Sequence, residues 1–161
     1  MRYLGNTALV ALLLACALPL SLASDSNAGF IQLTPEHIAF KRASGSEQAT
    51  LFGDPTKPGL YVVRVRFPPG VHSNPHWHSQ DRHVTVIQGI WYMGTGTTAD
   101  ISKAVPMKAG SYAFHPAHGV HWDGAGKEET IVQIVGMGPV ETVLIDPTLP
   151  LIGHWSSTKT Q

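Results

Sequence analysis

Short apolar runs recur through the chain from about residue 38 to 145, separated by turns rich in glycine and proline. The run 60–67 has the clearest pattern, because apolar and basic residues alternate at its end: Val63, Arg64, Val65, Arg66 and Phe67. Alternation with a period of two is typical of a strand that buries one face. Pro-Pro-Gly at 68–70 ends this strand.

Eight further strands are predicted from similar runs, at 38–40, 49–52, 84–87, 90–93, 111–115, 119–122, 130–135 and 140–145. Beyond the N-terminal segment, no stretch keeps an apolar repeat at helical spacing, apart from a possible turn near 97–103. Many short strands with tight turns are typical of an antiparallel sandwich or barrel. With 161 residues, the chain has the length of one all-β domain.

The N-terminal segment 1–23 has the pattern of a signal peptide. Arg2 precedes an apolar run over 8–22, and small residues end the segment at Ala23. We expect cleavage there and export to the periplasm or medium, although Cys16 leaves lipoprotein processing open. The expected organisation is a signal peptide at 1–23, an arm at 24–36, a domain at 37–147 and a tail at 148–161. The apolar run is too short, and too interrupted by Pro19, for a membrane-spanning helix. We expect no transmembrane segment in the mature chain.

The charge and the cysteine content of the chain argue against nucleic-acid binding and against thiolate metal ligands. Eleven basic and eleven acidic residues give a net charge of zero, and the basic residues form no cluster. A nucleic-acid surface is therefore not expected, since such surfaces carry a basic patch. Cys16 is the one cysteine and lies inside the predicted leader. The mature chain would have no thiolate, so any metal ligands must be His, Asp or Glu.

Histidine spacing predicts a metal site. His76 and His78 are one residue apart, so on a strand both imidazoles point to the same face. His121 lies in a second predicted strand, and pairing of the two segments would bring three imidazoles together. Converging imidazoles bind divalent transition ions such as Fe, Cu, Ni, Mn or Zn.

At these residues the chain resembles the cupins, whose fold is a small antiparallel jelly-roll barrel, or double-stranded β-helix. The first cupin motif, G-x5-H-x-H-x3–4-E-x6-G, is matched by Gly70, His76, His78 and Gly89. The second, G-x5-P-x-G-x2-H-x3-N, is matched by Gly110, Pro116 and His121, with His118 and Ala125 in place of its glycine and asparagine. The resemblance covers 60–145 and extends to small exported bacterial cupins.

The family's metal-binding glutamate is missing. Arg82 stands at its position, and a guanidinium has no lone pair for a metal. His83 could serve as a fourth ligand if a bulge shifted the strand register, and Asp81 is a poorer candidate. For Arg82 we expect a surface ion pair with Asp81 or Asp123; pointing inward, it could instead hold a carboxylate or phosphate substrate.

The resemblance implies an oxygenase acting on a small organic molecule, because a three-histidine face is similar to that of cupin-type thiol and diketone dioxygenases. Three alternatives stay open: a non-enzymatic module that binds a metal or small ligand, a metal-dependent isomerase or lyase, and a sugar-type cupin that uses no metal. No general base, nucleophile motif or phosphate-binding loop is evident, so the sequence identifies no catalytic residue. The apolar segment 31–43 could add a strand to a second copy and form a homodimer.

Overall fold

The computed structural model describes residues 29–155. The predicted signal peptide, its cleavage site and Cys16 lie outside these residues. All regular elements belong to one compact unit that begins at Leu33. Within 29–155, no helix has the length and apolarity needed to cross a membrane.

Thirteen short strands make up the described chain. They are β1 Lys41–Ala43, β2 Ser46–Phe52, β3 Gly59–Phe67, β4 Val71–Ser73, β5 His76–His78, β6 Arg82–Gln88, β7 Ile90–Thr95, β8 Val105–Lys108, β9 Tyr112–His115, β10 His121–Ala125, β11 Thr130–Gly138, β12 Thr142–Leu144 and β13 Ile152–His154. The helical elements among these residues are single 3-10 turns at Pro35–His37 and Ile101–Lys103. The predicted all-β class is confirmed.

The strands form two antiparallel sheets. The first sheet has the order β1-β2-β3-β11-β6-β9, and the second has β12-β5-β10-β4-β13, with β7 and β8 attached through β10. Most neighbours in each sheet are distant in sequence, as in a jelly roll. This topology sets β5 beside β10, so the two histidine segments lie next to each other.

The core confirms the alternation in β3. Val63 and Phe67 are buried and Val65 packs against them, while Arg66 on the other face pairs with Glu47 at 2.8 Å. The core cluster also takes residues from both sheets: Tyr61, Val71, Val84, Val86, Trp91, Ala113, Ala125, Val132 and Ile134. Each large apolar side chain buried there contributes about 1.5–3 kcal/mol.

The turn between β6 and β7 shows why a motif glycine is needed. Gly89 has φ 74°, a conformation in which a side chain is strained. A Cβ at this position would also collide with the carbonyl oxygen of Glu129. The turn reverses the chain from the first sheet to the second.

Three strands were not predicted from the sequence: β4, β8 and β13. Each has only three or four residues and no alternation long enough to recognise. β13 lies inside the predicted tail 148–161, yet it pairs with β4, and Trp155 Nε1 donates to the Ala125 carbonyl at 2.7 Å. The predicted strand 38–40 is also displaced, since β1 begins at Lys41.

Candidate metal centre

His76, His78 and His121 meet inside the barrel. The register of β5 and β10 places His121 directly opposite His76. All three side chains are buried, with exposures of 3–4%, and one ligand nitrogen from each lies within 4.8 Å of the others. The pairing that the sequence analysis required between the two segments is therefore present.

Two of the rings are fixed by backbone carbonyls. His76 Nδ1 lies 2.7 Å from the Asn74 carbonyl oxygen, and His121 Nδ1 lies 2.9 Å from that of Gly119. A carbonyl only accepts hydrogen bonds, so each Nδ1 carries the proton. In the neutral ring, Nε2 then keeps a free lone pair. Anchoring of the outer nitrogen is what metal-binding histidines commonly show.

His78 has the same tautomer for a different reason. Its Nε2 contacts Nη1 of Arg82, and a guanidinium can only donate. Nε2 is therefore an acceptor, and the proton is on Nδ1, 3.0 Å from Thr142 Oγ1. All three imidazoles thus turn an unprotonated Nε2 inward.

The spacing of these nitrogens fits a shared cation. His76 Nε2 and His78 Nε2 are 3.1 Å apart, and with both protons on Nδ1 this contact cannot be a hydrogen bond. Two lone pairs at this distance repel each other. Two nitrogens bound to one ion at about 2.0–2.1 Å would be roughly 3 Å apart. The donor set therefore suits a divalent transition ion.

The environment keeps the imidazoles neutral. Burial lowers the pKa of His115 to about 2 and that of His121 to about 4, although the Asp123 carboxylate partly opposes the shift at His121. Burial also lowers the pKa of His76 and His78. A neutral imidazole is the form that binds metals, so protons compete little for these nitrogens at neutral pH.

Arg82 points into the barrel, so the surface ion pair expected from the sequence is wrong. On β6 it shares a face with the buried residues Val84 and Val86, and its Nε is buried without a hydrogen-bond partner. Burial lowers its pKa, while Tyr61 and Asp123 raise it. Arginine remains charged at neutral pH, and this charge further lowers the pKa of His78.

His83 does not join the cluster. It is exposed on the outer face of β6, where Nδ1 lies 2.8 Å from Tyr112 Oη and the ring packs 5.4 Å from that of Phe114. The pairing of β6 with β9 is regular at this point, so the bulge needed to turn His83 inward is absent. His83 is therefore not a candidate fourth ligand here. Asp81 is also outside, since its Oδ1 accepts from the Ala117 amide at 2.7 Å.

His115 was missed as a site residue. It is 3% exposed, its ring centroid is 3.9 Å from that of His121, and neither ring nitrogen has a hydrogen-bond partner. The signal was available: His115 alternates with Ala113, and the outward positions are Tyr112 and Phe114. Pro116 directly after it obscured the alternation.

Asp123, named from the sequence only as a surface partner for Arg82, is 7% exposed and faces the cluster. Its Oδ2 is 3.9 Å from His121 Nε2, and its Oδ1 accepts from Ser73 Oγ at 3.1 Å. Asp123 follows His121 by two residues on a strand, the same spacing that identified His76 and His78. A second group of possible ligands, His115, His121 and Asp123, therefore shares His121 with the first group.

His118 occupies the position where the cupin motif has glycine. Its φ is 63°, in the left-handed region that favours glycine, and its amide donates to the His78 carbonyl at 2.8 Å. The ring packs 4.7 Å from that of Trp77, which is half-buried beside the site. His118 thus supports the β5 segment from outside the cluster.

A cavity of about 170 Å³ opens beside the histidines. The polar groups on its wall include His76, His78, Arg82, His115, Asp123, Ser46, Gln48 and Thr142. Its apolar wall includes Val84 and Trp91. Tyr112 and Phe114 are exposed on the outer face of β9 and do not line it.

Residues 26–139 match the model of a family described as a domain of unknown function, DUF4437. The chain belongs to this family. No curated protein matches it significantly.

Solved structures identify the fold as cupin-like. KdgF from Halomonas sp. is 19% identical with a TM-score of 0.53, covering 65% of this chain and 91% of its own. The polyketide cyclase RemF from Streptomyces resistomycificus is 16% identical with a TM-score of 0.57, covering 72% and 87%. A cupin-like protein of unknown function from Ralstonia eutropha is 24% identical with a TM-score of 0.56, covering 71% and 77%. The cupin resemblance inferred from the motifs is confirmed.

Proposed function

We propose that this protein is an exported cupin that binds one divalent transition-metal ion and acts with it on a small organic molecule. His76, His78 and His121 are the proposed ligands. The observation that carries the proposal is the convergence of three unprotonated Nε2 atoms, two of them 3.1 Å apart, in a buried site. The cavity beside them is large enough for a small ligand.

The proposed reaction class is oxygenation. A bound ion would supply Lewis acidity or redox chemistry, and with three protein ligands it would keep positions open. The chain's own part is to hold the imidazoles neutral, to fix their orientation through Asn74, Gly119 and Thr142, and to exclude bulk water.

A metal-dependent lyase or isomerase is the second candidate, and His115 favours it. This buried imidazole has two unpaired nitrogens on the cavity wall. The ring stays neutral there, so one nitrogen can donate a hydrogen bond to a substrate and the other can accept one, which would orient a substrate for elimination or isomerisation. Solved structures with this fold include the polyketide cyclase RemF and DMSP lyases.

Metal content tests the proposal first. Purified protein should contain, or take up on reconstitution, one iron, nickel, manganese, copper or zinc ion per chain by elemental analysis. His121→Ala should lose it, because this residue belongs to both groups of ligands. His83→Ala is the matched control and should keep the ion, since His83 lies on the outer face. A wild-type chain that binds none of these ions after reconstitution would contradict the proposal.

Oxygen dependence separates the two reaction classes. The loaded protein, offered a panel of thiols, diketones and phenols, should consume oxygen if it is an oxygenase. Turnover that persists without oxygen would favour the lyase or isomerase. Metal binding without turnover in either condition would favour the binding module.

Export is tested on the full chain. Expressed in a bacterium with a periplasm, the protein should fractionate outside the cytoplasm and begin at Ser24. A lipid-modified chain beginning at Cys16 would instead support lipoprotein processing.

A further inference from the structure

Arg82 and the proposed metal compete for one lone pair. The guanidinium contacts His78 Nε2, the atom through which His78 would bind an ion. One imidazole nitrogen has a single lone pair in the ring plane, so it cannot accept from Arg82 and coordinate a metal together. The ion therefore binds with all three histidines only when the guanidinium has moved away from His78.

The charges in the cavity indicate what would hold the guanidinium elsewhere. Among the described residues on the cavity wall, Arg82 and Asp123 are the charged side chains, and they offset each other. A divalent ion would leave the site with two uncompensated positive charges. Buried charges need partners, so a loaded cavity favours an anionic ligand over a neutral one.

Arg82 also has donors to offer. Its Nε is buried and has no hydrogen-bond partner, although it belongs to a fork of donors that matches a carboxylate. A carboxylate that accepted from this fork would satisfy the orphaned N–H and compensate the charge. The volume of about 170 Å³ limits such a ligand to a small molecule.

We propose that the ligand of this cavity is a small organic carboxylate that binds cooperatively with the metal, through Arg82. The guanidinium of Arg82 binds the carboxylate instead of His78, and Nε2 of His78 is then free to coordinate the ion. The inference rests on the proposed metal function and adds the ligand class and the coupling. Coupling between two ligands is reciprocal, so the metal must strengthen carboxylate binding by the same factor.

Calorimetric titration of the metal-free protein with nickel tests the coupling. Titrations contain acetate, or acetamide as a neutral ligand of similar shape, at equal ionic strength and equal free nickel. In the wild type, acetate should tighten nickel binding about tenfold, within the usual range of coupling between sites. Titrating acetate with and without nickel should give the same factor.

Arg82→Gln removes the guanidinium that competes with the ion for His78 and that would bind the carboxylate. It should bind nickel more tightly than the wild type in acetamide, and acetate should add nothing. Arg64→Gln is the matched control, because Arg64 lies on β3 with its Nε donating to Gln133, and should behave as the wild type. Thermal unfolding of each variant establishes that it is folded. If Arg82→Gln does not fold, the wild-type response to acetate decides.

Two results would overturn the inference, and they differ in whether the proposed metal function survives. Nickel binding to the wild type that is equal in acetate and acetamide would remove the coupling but leave the metal function intact. No nickel binding by the wild type or by Arg82→Gln, in either solution, would remove both.

Discussion

The two sides of the cavity carry opposite chemistry. The metal wall, contributed by β5 and β10 of the second sheet, consists of His76, His78, His121 and Asp123. The arginine wall, contributed by β6 and β9 of the first sheet, consists of Arg82 and His115, which are paired across the two strands. The metal wall offers lone pairs and a carboxylate to a cation. The arginine wall brings a fixed positive charge into the same space.

Comparison of the two walls shows that replacement of the motif glutamate by Arg82 does more than remove a metal ligand. A glutamate at position 82 would add a negative charge next to His78, whereas Arg82 adds a positive one and contacts its Nε2. Coulomb energies between unit charges 4 Å apart reach about 4 kcal/mol at an effective dielectric constant of 20. The residue on the arginine wall therefore controls how strongly the metal wall can hold an ion.

Removing a ligand from the metal wall should have the largest effect. His76→Ala deletes one of three converging nitrogens, so we expect metal affinity to fall at least about 100-fold, or 2.7 kcal/mol at 1.36 kcal/mol per decade. Competition with a chromophoric chelator measures it. Affinity equal to that of the wild type would show that the ion does not use β5.

Replacing the positive charge of the arginine wall by a negative one should change metal affinity by a comparable factor in the opposite direction. Arg82→Glu removes the competing cation and restores the carboxylate of the cupin motif, so metal affinity should rise by about 10- to 100-fold. The same chelator competition reads the gain. A weaker site in the variant would indicate that Arg82 supports the metal rather than competing with it.

Asp123→Asn tests the charge of the metal wall. The amide keeps the size and the contact with Ser73 but leaves Arg82 without its buried counter-charge. We expect metal affinity to fall about tenfold and the metal-free protein to lose about 1–3 kcal/mol of stability. Chemical denaturation measures the second effect. Unchanged stability would mean that Arg82 is compensated by solvent.

Acid should destabilise the metal-free protein, because buried histidines on both walls of the cavity must become protonated. The folded-state pKa values of His121, about 4, and His115, about 2, lie below the ordinary value of 6.5, so the unfolded chain binds more protons in this range. Stability is complete above pH 6.5 and is lost as the pH falls towards 4 and below, at up to about 1.4 kcal/mol per pH unit for each histidine. Denaturation between pH 7 and 4 measures the slope.

His115→Gln should reduce this slope, because it removes one of the buried imidazoles whose pKa is lowered on folding. Stability of the chelator-treated wild type that does not vary between pH 7 and 4 would contradict the burial of neutral histidines.

The smallest effect is expected outside the cavity. His83→Ala removes a hydrogen bond to Tyr112 on the outer face, so stability should change by less than about 0.5 kcal/mol, and metal content not at all. Loss of the ion from this variant would show that β6 can shift its register and bring His83 inward.

Features that depend on local periodicity could be predicted from the amino-acid sequence. Alternation predicted the inward face of β3, and the i, i+2 spacing placed His76 and His78 on one face, because side chains on a strand repeat every two residues. The motif spacing also predicted the cupin fold and paired His121 with the first segment. The same rule, applied to Ala113 and His115 or to His121 and Asp123, would have found the two residues that were missed.

The inward face of β6, and the contacts that Arg82 makes there, depend on how this strand pairs with its neighbours and packs in the barrel. Register between β6, β9 and β11 is fixed by the packing of Val84 and Val86, so Arg82 follows them into the barrel and His83 faces solvent. The cost of burying a guanidinium argued instead for a surface position of Arg82. The strand cannot turn one residue outward without exposing its apolar neighbours, and that constraint places a charge beside the histidines.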